Sequence, residues 1–381
     1  MGEGGHTLRL VIAGGGTGGH VLPALAVLEE FSRRGVAVAP TWIGSRDGVE
    51  REQAEAAGIP FVGIPTGKLR RYLDLRTATD AARIPAGTVL AWRHLRRLRP
   101  DVVFSTGGFV SVPTVVAAGL GRVAPILTHE QTAVLGLATR INLRFAAVLA
   151  VSYAQTAALA GSRARAVIVT GNPVRASLLG GDAARGLARF GFSGDVPLLY
   201  VTGGARGASP LNQRLASLLP RLLDGCQILH QTGPAGANDD AAALIRSRES
   251  WPEALRDRYR VVEFVRDELP DVYAAASLVL GRAGAGTVAE LAVLGKPAVL
   301  IPLPGAGGDE QTVNARVLAD ADAAVLLPQT EATPRRLSEV LTELLGDPAR
   351  LAAMGSRAKG VGRADAAGRL AEAVVGLARG G

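Results

Sequence analysis

The chain has 381 residues, 48% hydrophobic and 20% charged, with a formal net charge of +8. That length suits about two domains with cores of their own, and the composition excludes disorder for the bulk of the chain. The single cysteine, Cys226, excludes an internal disulfide, and the five scattered histidines show no metal-ligand spacing.

Met1–His6 carries no basic stretch followed by an apolar core, so no signal peptide is expected. Apolar runs then predict strands over 8–13, 38–43, 101–105, 124–128, 147–151 and 166–169. The first run enters Gly14-Gly15-Gly16-Thr17-Gly18-Gly19-His20. A strand, a glycine turn and a helix N-terminus form an anion cradle, because free N–H groups and the helix dipole favour negative charge. Gly14, Gly16 and Gly19 also satisfy G-x-G-x-x-G, a weak signal for a dinucleotide. At the end of the second strand, where an acidic residue would read a ribose, the chain has Ser45-Arg46. The arginine leaves a 2′-phosphate, and so a NADP reading, open. His20 is placed to take a proton from a bound hydroxyl near neutral pH; a capping or core histidine is the alternative.

From Lys68 to Arg99, nine basic residues stand against Asp74 and Asp80, which leaves +7 there and +1 for the rest. Leu69, Tyr72, Leu73, Leu75, Ile84 and Trp92 are interleaved with them. A basic surface studded with apolar groups suits an anionic membrane face. No aromatic stacking platform or known motif accompanies the charge, so nucleic acid is not expected. The uncharged stretch from Val102 to Gly121 is long enough to span a bilayer, but Gly107-Gly108, Ser111 and Pro113 break it into strand, loop and helix start. Thr128-His129-Glu130-Gln131 ends the next strand, where polar groups are expected to face a binding crevice; Glu130 is expected to orient His20 or hold a substrate hydroxyl. In Gly171-Asn172-Pro173-Val174-Arg175 the arginine can neutralise a diphosphate. Residues 171–197, rich in Gly and Pro, read as an interdomain linker.

The second half repeats the plan, with strands predicted over 197–202, 226–231, 260–264, 277–280, 297–301 and 323–327. The first runs into Thr202-Gly203-Gly204-Ala205-Arg206-Gly207, a second candidate cradle. A further glycine turn, Gly281 to Gly286, precedes Glu290, whose carboxylate can accept hydrogen bonds from ribose hydroxyls. Asp309 to Asn314 follows the next apolar strand, in a loop suited to gripping a sugar. Strands alternating with helices predict an α/β protein with two doubly wound parallel sheets. The expected domains are 1–175 and 176–359, with a helix over about 360–381 packing back on the first.

In this order the motifs resemble the MurG family of glycosyltransferases. The matching segments are Gly15-Gly16-Thr17-Gly18-Gly19-His20-Val21, His129-Glu130-Gln131, Gly171-Asn172-Pro173-Val174-Arg175, Val201-Thr202-Gly203-Gly204, Arg282-Ala283-Gly284-Ala285 with Glu290, and Gln311 with Asn314-Ala315. The resemblance implies a GT-B fold, two Rossmann-like domains facing a central cleft. It implies inverting transfer of N-acetylglucosamine from UDP-N-acetylglucosamine to the undecaprenyl-diphosphate-linked muramoyl-pentapeptide, a step of peptidoglycan biosynthesis. The first domain would take the acceptor and the membrane, the second the nucleotide sugar. No cofactor and no tightly bound metal are implied, and the location is peripheral, on the cytoplasmic face of the cell membrane, through Lys68–Arg99.

Carried over by motif, Thr17, Gly18 and Gly19 contact a diphosphate region, and His20 is the base, with Glu130 in support. Arg175, Gly203 and Gly204 hold the donor phosphates. Val265 packs near uracil through its backbone. Ala285, Gly286, Thr287, Val288, Ala289 and Glu290 line the nucleotide, and Gln311 touches the sugar, with Asn314 in the same motif. Four residues in three motifs depart from the family pattern. Ala205-Arg206 replaces Ser-Gln, Thr132 replaces Asn, and Glu310 replaces His or Gln. These changes touch expected donor contacts, and backbone N–H groups and Arg206 are able to compensate for the missing serine hydroxyl. The open alternatives are a GT-B transferase with another lipid or natural-product acceptor, a nucleotide-sugar epimerase of similar build, and a degenerate membrane-bound paralogue.

Overall fold

The structure is a computed structural model and describes residues 7–67, 75–236, 239–305 and 309–380, without the side chains of 75–82. Two compact units make up the chain: Met1–Arg175 with Ala364–Gly381, and Ala176–Arg363.

The first unit holds β1 (Leu8–Gly14), β2 (Val38–Ser45), β3 (Phe61–Ile64), β4 (Val102–Gly107), β5 (Ile126–Glu130), β6 (Val148–Val151) and β7 (Val167–Val169). All are parallel, in the order β3-β2-β1-β4-β5-β6-β7. Alternation along β1 supplies both faces. Leu8, Leu10 and Ile12 pack with Val21, Val27 and Phe31 of helix Gly18–Arg33 and with Leu370 and Val374 of helix Ala366–Arg379. Val11 and Ala13 pack on the other side with Ala91 and Leu95 of helix Leu75–Leu98 and Val115 of helix Ser111–Gly121. Coverage of both faces is what keeps an all-parallel sheet apolar throughout.

The second unit holds β8 (Leu198–Thr202), β9 (Gln227–Gln231), β10 (Tyr259–Val262), β11 (Ala276–Gly281), β12 (Ala298–Leu300) and β13 (Ala324–Leu326), in the order β10-β9-β8-β11-β12-β13. Its core joins Leu199, Val201, Ile228, Leu278, Leu280 and Val299 to Leu215, Leu219, Leu337 and Leu341 from the helices. Strand order reverses between β1 and β4 in one sheet and between β8 and β11 in the other. The glycine turns after β1, β4, β8 and β11 therefore lie at the two switch points, where such folds bind ligands.

Two expectations change. An additional strand, β3, forms the sheet edge from Phe61-Val62-Gly63-Ile64, between Pro60 and Pro65. Within 171–197, residues Ala176–Gly180 and Ala183–Phe190 are helical rather than linking. Helix Ala183–Phe190 is capped by Asp182, whose side chain accepts from the Arg185 amide, and Arg185 pairs with Asp271 of helix Leu269–Ala275. Its glycines serve contact: a Cβ on Gly181 would lie 2.0 Å from Pro270 O, and one on Gly186 would lie 2.4 Å from Asp271 O. Among the described residues, no helix is long and apolar enough to cross a membrane.

Candidate active site

In the first unit the chain leaves β1 through Gly15 and Gly16 and starts its helix at Gly18. Gly16 has φ +82°, and a Cβ there would meet Phe109 at 2.8 Å. Thr17 is the N-cap, but its side chain makes no capping hydrogen bond. Thr17 is exposed, and Gly18 and Gly19 are half-buried, so the first helical amides remain open to an anion. Behind the loop, Trp42 Nε1 donates to Gly14 O at 2.9 Å, and the fully buried carboxylate of Glu50 accepts from the amides of Gly16 at 2.9 Å and Ser45 at 2.8 Å.

His20 stands on the turn after β4. Gly107 (φ +83°) and Gly108 (φ +75°) give it room: a Cβ on Gly108 would lie 2.9 Å from His20 Cδ2. His20 Nδ1 lies 3.0 Å from Thr106 O and 3.1 Å from Gln131 Oε1. Both oxygens only accept, so Nδ1 carries the proton and Nε2 keeps a lone pair. The Thr106 hydroxyl donates to His20 O at 2.6 Å and closes the junction.

Thr128, His129, Glu130 and Gln131 are all buried rather than open to solvent. Glu130 does not hold His20. Its carboxylate accepts from Thr132 N (3.2 Å), Gly136 N (3.0 Å) and Thr139 Oγ1 (2.6 Å), and lies 2.8 Å from Thr132 Oγ1. Gln131, the residue just after β5, points to His20 and His129 meets Gln131 from the same side, while Glu130 between them faces the other way and shapes the 132–139 loop. Arg175 is half-buried, and its buried Nε–H has no partner among the described residues.

In the second unit, the turn after β8 is held from within. Gly204 N donates to Thr202 Oγ1 at 3.1 Å and Gly207 N to Gly204 O at 3.0 Å. Gly207 (φ +70°) packs so closely on the next turn that a Cβ would lie 2.0 Å from Thr232 O. Ala205 and Arg206 are exposed at its tip. The following helix begins only at Ser209, so this turn is not itself a helix N-terminus. That role falls to the turn after β11. There helix Ala285–Leu294 starts behind Gly284, with Ala285, Gly286 and Thr287 half-buried.

Val288 and Ala289 are buried at 0% and 7% exposure, so their side chains face the core rather than a ligand. Glu290 is half-buried, and its Oε2 accepts from Tyr273 OH at 2.9 Å. Val265 N donates to Gln231 Oε1 at 3.0 Å, and Gln231 Nε2 reaches Thr202 Oγ1 at 3.2 Å. The Val265 loop and the glycine turn thus share one buried amide. Gln311 Oε1 accepts from Leu303 N at 2.9 Å, and buried Asn314 donates to Ala283 O at 3.4 Å, so both shape the loops around the helix start. Arg282 is buried and donates to Ile301 O, Pro302 O and Gln329 Oε1. Asp309 to Asn314, expected as a sugar-gripping loop, instead opens helix Glu310–Ala319, with Asp309 at its N-cap; residues 306–308 before it lie outside the described residues.

Sequence reasoning passed over Glu50 and Gln231, and it expected Gln131 only as one of the polar groups facing a crevice, with no tie to His20. For Gln131 a signal existed: it shares strand parity with His129.

Residues 10–151 match the glycosyltransferase family 28 N-terminal domain, and residues 198–370 match the C-terminal domain of the same family. A Treponema pallidum protein named UDP-N-acetylglucosamine–N-acetylmuramyl-(pentapeptide) pyrophosphoryl-undecaprenol N-acetylglucosamine transferase is 40% identical over 337 residues, 88% of this chain and 86% of its own. A Bacillus cereus protein of that name, numbered 2, is 37% identical over 88% of this chain and 91% of its own. The crystal structure of Acinetobacter baumannii MurG superposes with a TM-score of 0.73 at 28% identity, covering 97% of this chain and 99% of that one. A Neisseria meningitidis UDP-GlcNAc 2-epimerase, at 13% identity and TM-score 0.65 over 97% of this chain and 100% of its own, shares the fold alone. With two parallel α/β units in GT-B form and this identity along most of its length, the chain belongs to the MurG family of glycosyltransferases.

Proposed function

We propose that the protein transfers N-acetylglucosamine from UDP-N-acetylglucosamine to the undecaprenyl-diphosphate-linked muramoyl-pentapeptide. The observation that carries this reading is His20, fixed by Thr106 O and Gln131 with its Nε2 lone pair uncommitted, beside the open amides of Gly18 and Gly19. The acceptor hydroxyl attacks the anomeric carbon as its proton passes to His20 Nε2. The bond from that carbon to the diphosphate breaks, its electron pair leaves with UDP, and configuration inverts. Charge growing on the leaving diphosphate is met by the helix dipole at the start of helix Ala285–Leu294 and, at the Gly203–Gly207 turn, by amides other than those of Gly204 and Gly207, which bond within the turn. Glu290, steadied by Tyr273, suits ribose hydroxyls.

Acceptor binding is assigned to the first unit and donor binding to the second. Peripheral attachment to an anionic cytoplasmic membrane face is part of the same reading. Exposed Val89, Trp92 and Leu120 beside exposed Arg93, Arg96 and Arg97 support it. Lys68–Asp74, the start of the basic stretch, lies outside the described residues, as do the side chains of Arg76 and Asp80. The test is UDP release from UDP-N-acetylglucosamine with a short-chain lipid-linked muramoyl-pentapeptide. Release that depends on this acceptor is expected. Acceptor-independent turnover, or none, overturns the assignment.

A further inference from the structure

Behind His20 runs a chain of hydrogen bonds with a single consistent direction. Gly171 O, at the far end, only accepts, so His129 Nε2, 3.2 Å away, carries its proton there. His129 Nδ1 then has only a lone pair, which takes Gln131 Nε2–H at 3.2 Å. The same amide nitrogen donates to Thr106 O at 2.6 Å. That fixes which end of the Gln131 amide is oxygen, and Oε1 faces His20 Nδ1 at 3.1 Å. His129 and Gln131 are 0% and 1% exposed, so no solvent competes for these bonds. Burial also lowers the His129 pKa to about 4, so that ring stays neutral and keeps its accepting nitrogen near neutral pH.

We propose that Gln131 is a positioning residue for the transfer: it presents an acceptor to His20 Nδ1, buttresses the Thr106 carbonyl that does the same, and thereby holds the imidazole with Nε2 free to receive the acceptor's proton. The inference rests on His20 being the base. An amide suits the task where a carboxylate does not. It can donate to His129 and Thr106 while accepting from His20, and it adds no charge that would hold His20 protonated. The titratable groups on the elements around His20 are His129 on β5, Glu130 beside it with its carboxylate turned to the 132–139 loop, and Glu50 on helix Val49–Ala56, bound at Gly16 N.

The experiment uses the full chain with ¹⁵N-labelled histidine, His20→Ala serving to assign the ring, alongside pH profiles of kcat. The wild-type ring is expected to carry its proton on Nδ1. Gln131→Leu should lower kcat roughly 10- to 100-fold with KM nearly unchanged and leave the His20 ring a mixture of tautomers. Gln131→Glu, which keeps the shape, should move the acid limb of kcat upward by about one pH unit, because a neighbouring anion favours the imidazolium. If Gln131→Leu does not fold, the Glu variant decides alone. A wild-type acid limb, or a lower kcat with the His20 tautomer and pH profile intact, overturns the proposal. His20→Ala turning over at the wild-type rate overturns the base assignment instead, while the ring spectrum still reports whether Gln131 sets the tautomer.

Discussion

Glu50 Oε2 lies 2.9 Å from the Gly16 amide, so a buried carboxylate, and not a substrate phosphate, takes this N–H of the glycine turn. Three glycines make room for it. A Cβ on Gly15, Gly44 or Gly48 would fall 2.3, 2.8 or 2.1 Å from atoms of the Glu50 side chain. With Ser45 N on its other oxygen, Glu50 ties the end of β2 to the start of helix Gly18–Arg33. Glu50→Gln turns one acceptor into a donor facing an N–H. The expected loss is about 1–3 kcal/mol, the usual penalty for a buried unpaired polar group, with kcat reduced alongside. Urea denaturation reads the first effect and UDP release the second. An unchanged unfolding midpoint would remove the role.

The Gly108 turn makes a separate prediction about the base. Gly108→Ala forces a Cβ to 2.4 Å from Gly15 O and 2.9 Å from His20 Cδ2, at φ +75°. Backbone and ring cannot both keep their places. His20→Ala should lower kcat by about 10²-fold or more, the range of a general base. Gly108→Ala should approach that loss while donor affinity, measured by titration calorimetry, stays at the wild-type value. A fully active Gly108→Ala enzyme would mean that His20 need not sit where it does.

Strand–helix alternation made the parallel sheets and their glycine turns legible, since both follow from local pattern. β3 escaped because four residues with a central glycine between two prolines carry no strand signal; its pairing with β2 comes from tertiary context. The segment before β8 looked like a linker because its glycines were read as freedom, whereas Gly181 and Gly186 are close-approach positions against helix Leu269–Ala275. At the site, His20 could be singled out from its place after the glycine turn. Its partner could not be chosen by residue type: Glu130 and Gln131 are both plausible, and only the strand's alternation separates them. Glu50 stands in the first turn of its helix, where a solvated glutamate is ordinary, and its burial depends on the distant Gly15 as well as on nearby Gly44 and Gly48.

Tyr273 OH donates to Glu290 Oε2 at 2.9 Å, across from the helix that opens at Ala285. Tyr273 is buried and packs edge-on against Tyr200, with ring centroids 5.7 Å apart, so its hydroxyl is held rigidly. Tyr273→Phe keeps the ring and removes one bond to the carboxylate. Stability should change by no more than about 1.5 kcal/mol, the net worth of one hydrogen bond. If Glu290 reads ribose, KM for UDP-N-acetylglucosamine should rise several-fold with kcat little affected. A 2′-deoxyribose donor should then lose the difference between wild type and variant. An equal KM in both enzymes would detach Tyr273 from donor binding.

Glu30, through Arg34, ties helix Gly18–Arg33 to the C-terminal helix of the same unit by charge. Its carboxylate takes Arg33 at 2.7 Å and Arg34 at 2.5 Å, and Arg34 reaches Glu372 of helix Ala366–Arg379 at 2.8 Å. Hydrogen bonding from Arg33, seconded by Arg34 and opposed by burial, lowers the Glu30 pKa from 4.5 to about 2. A carboxyl depressed in the folded state stabilises it fully above its unfolded pKa. That contribution is lost as pH falls from about 4.5 toward 2. Glu30→Gln should therefore unfold at lower temperature than wild type at pH 7, and the gap should narrow below about pH 4.5. Glu372 is 65% exposed and adds little by itself, so Glu372→Gln should be nearly silent. The loss in Glu30→Gln should appear first as faster amide exchange over 370–374, because Gly368 packs so tightly on Arg34 that a Cβ would lie 2.4 Å from its Nη2. A gap in unfolding temperature that stays constant from pH 7 to pH 3 would show that the ion pairs are not what holds this helix.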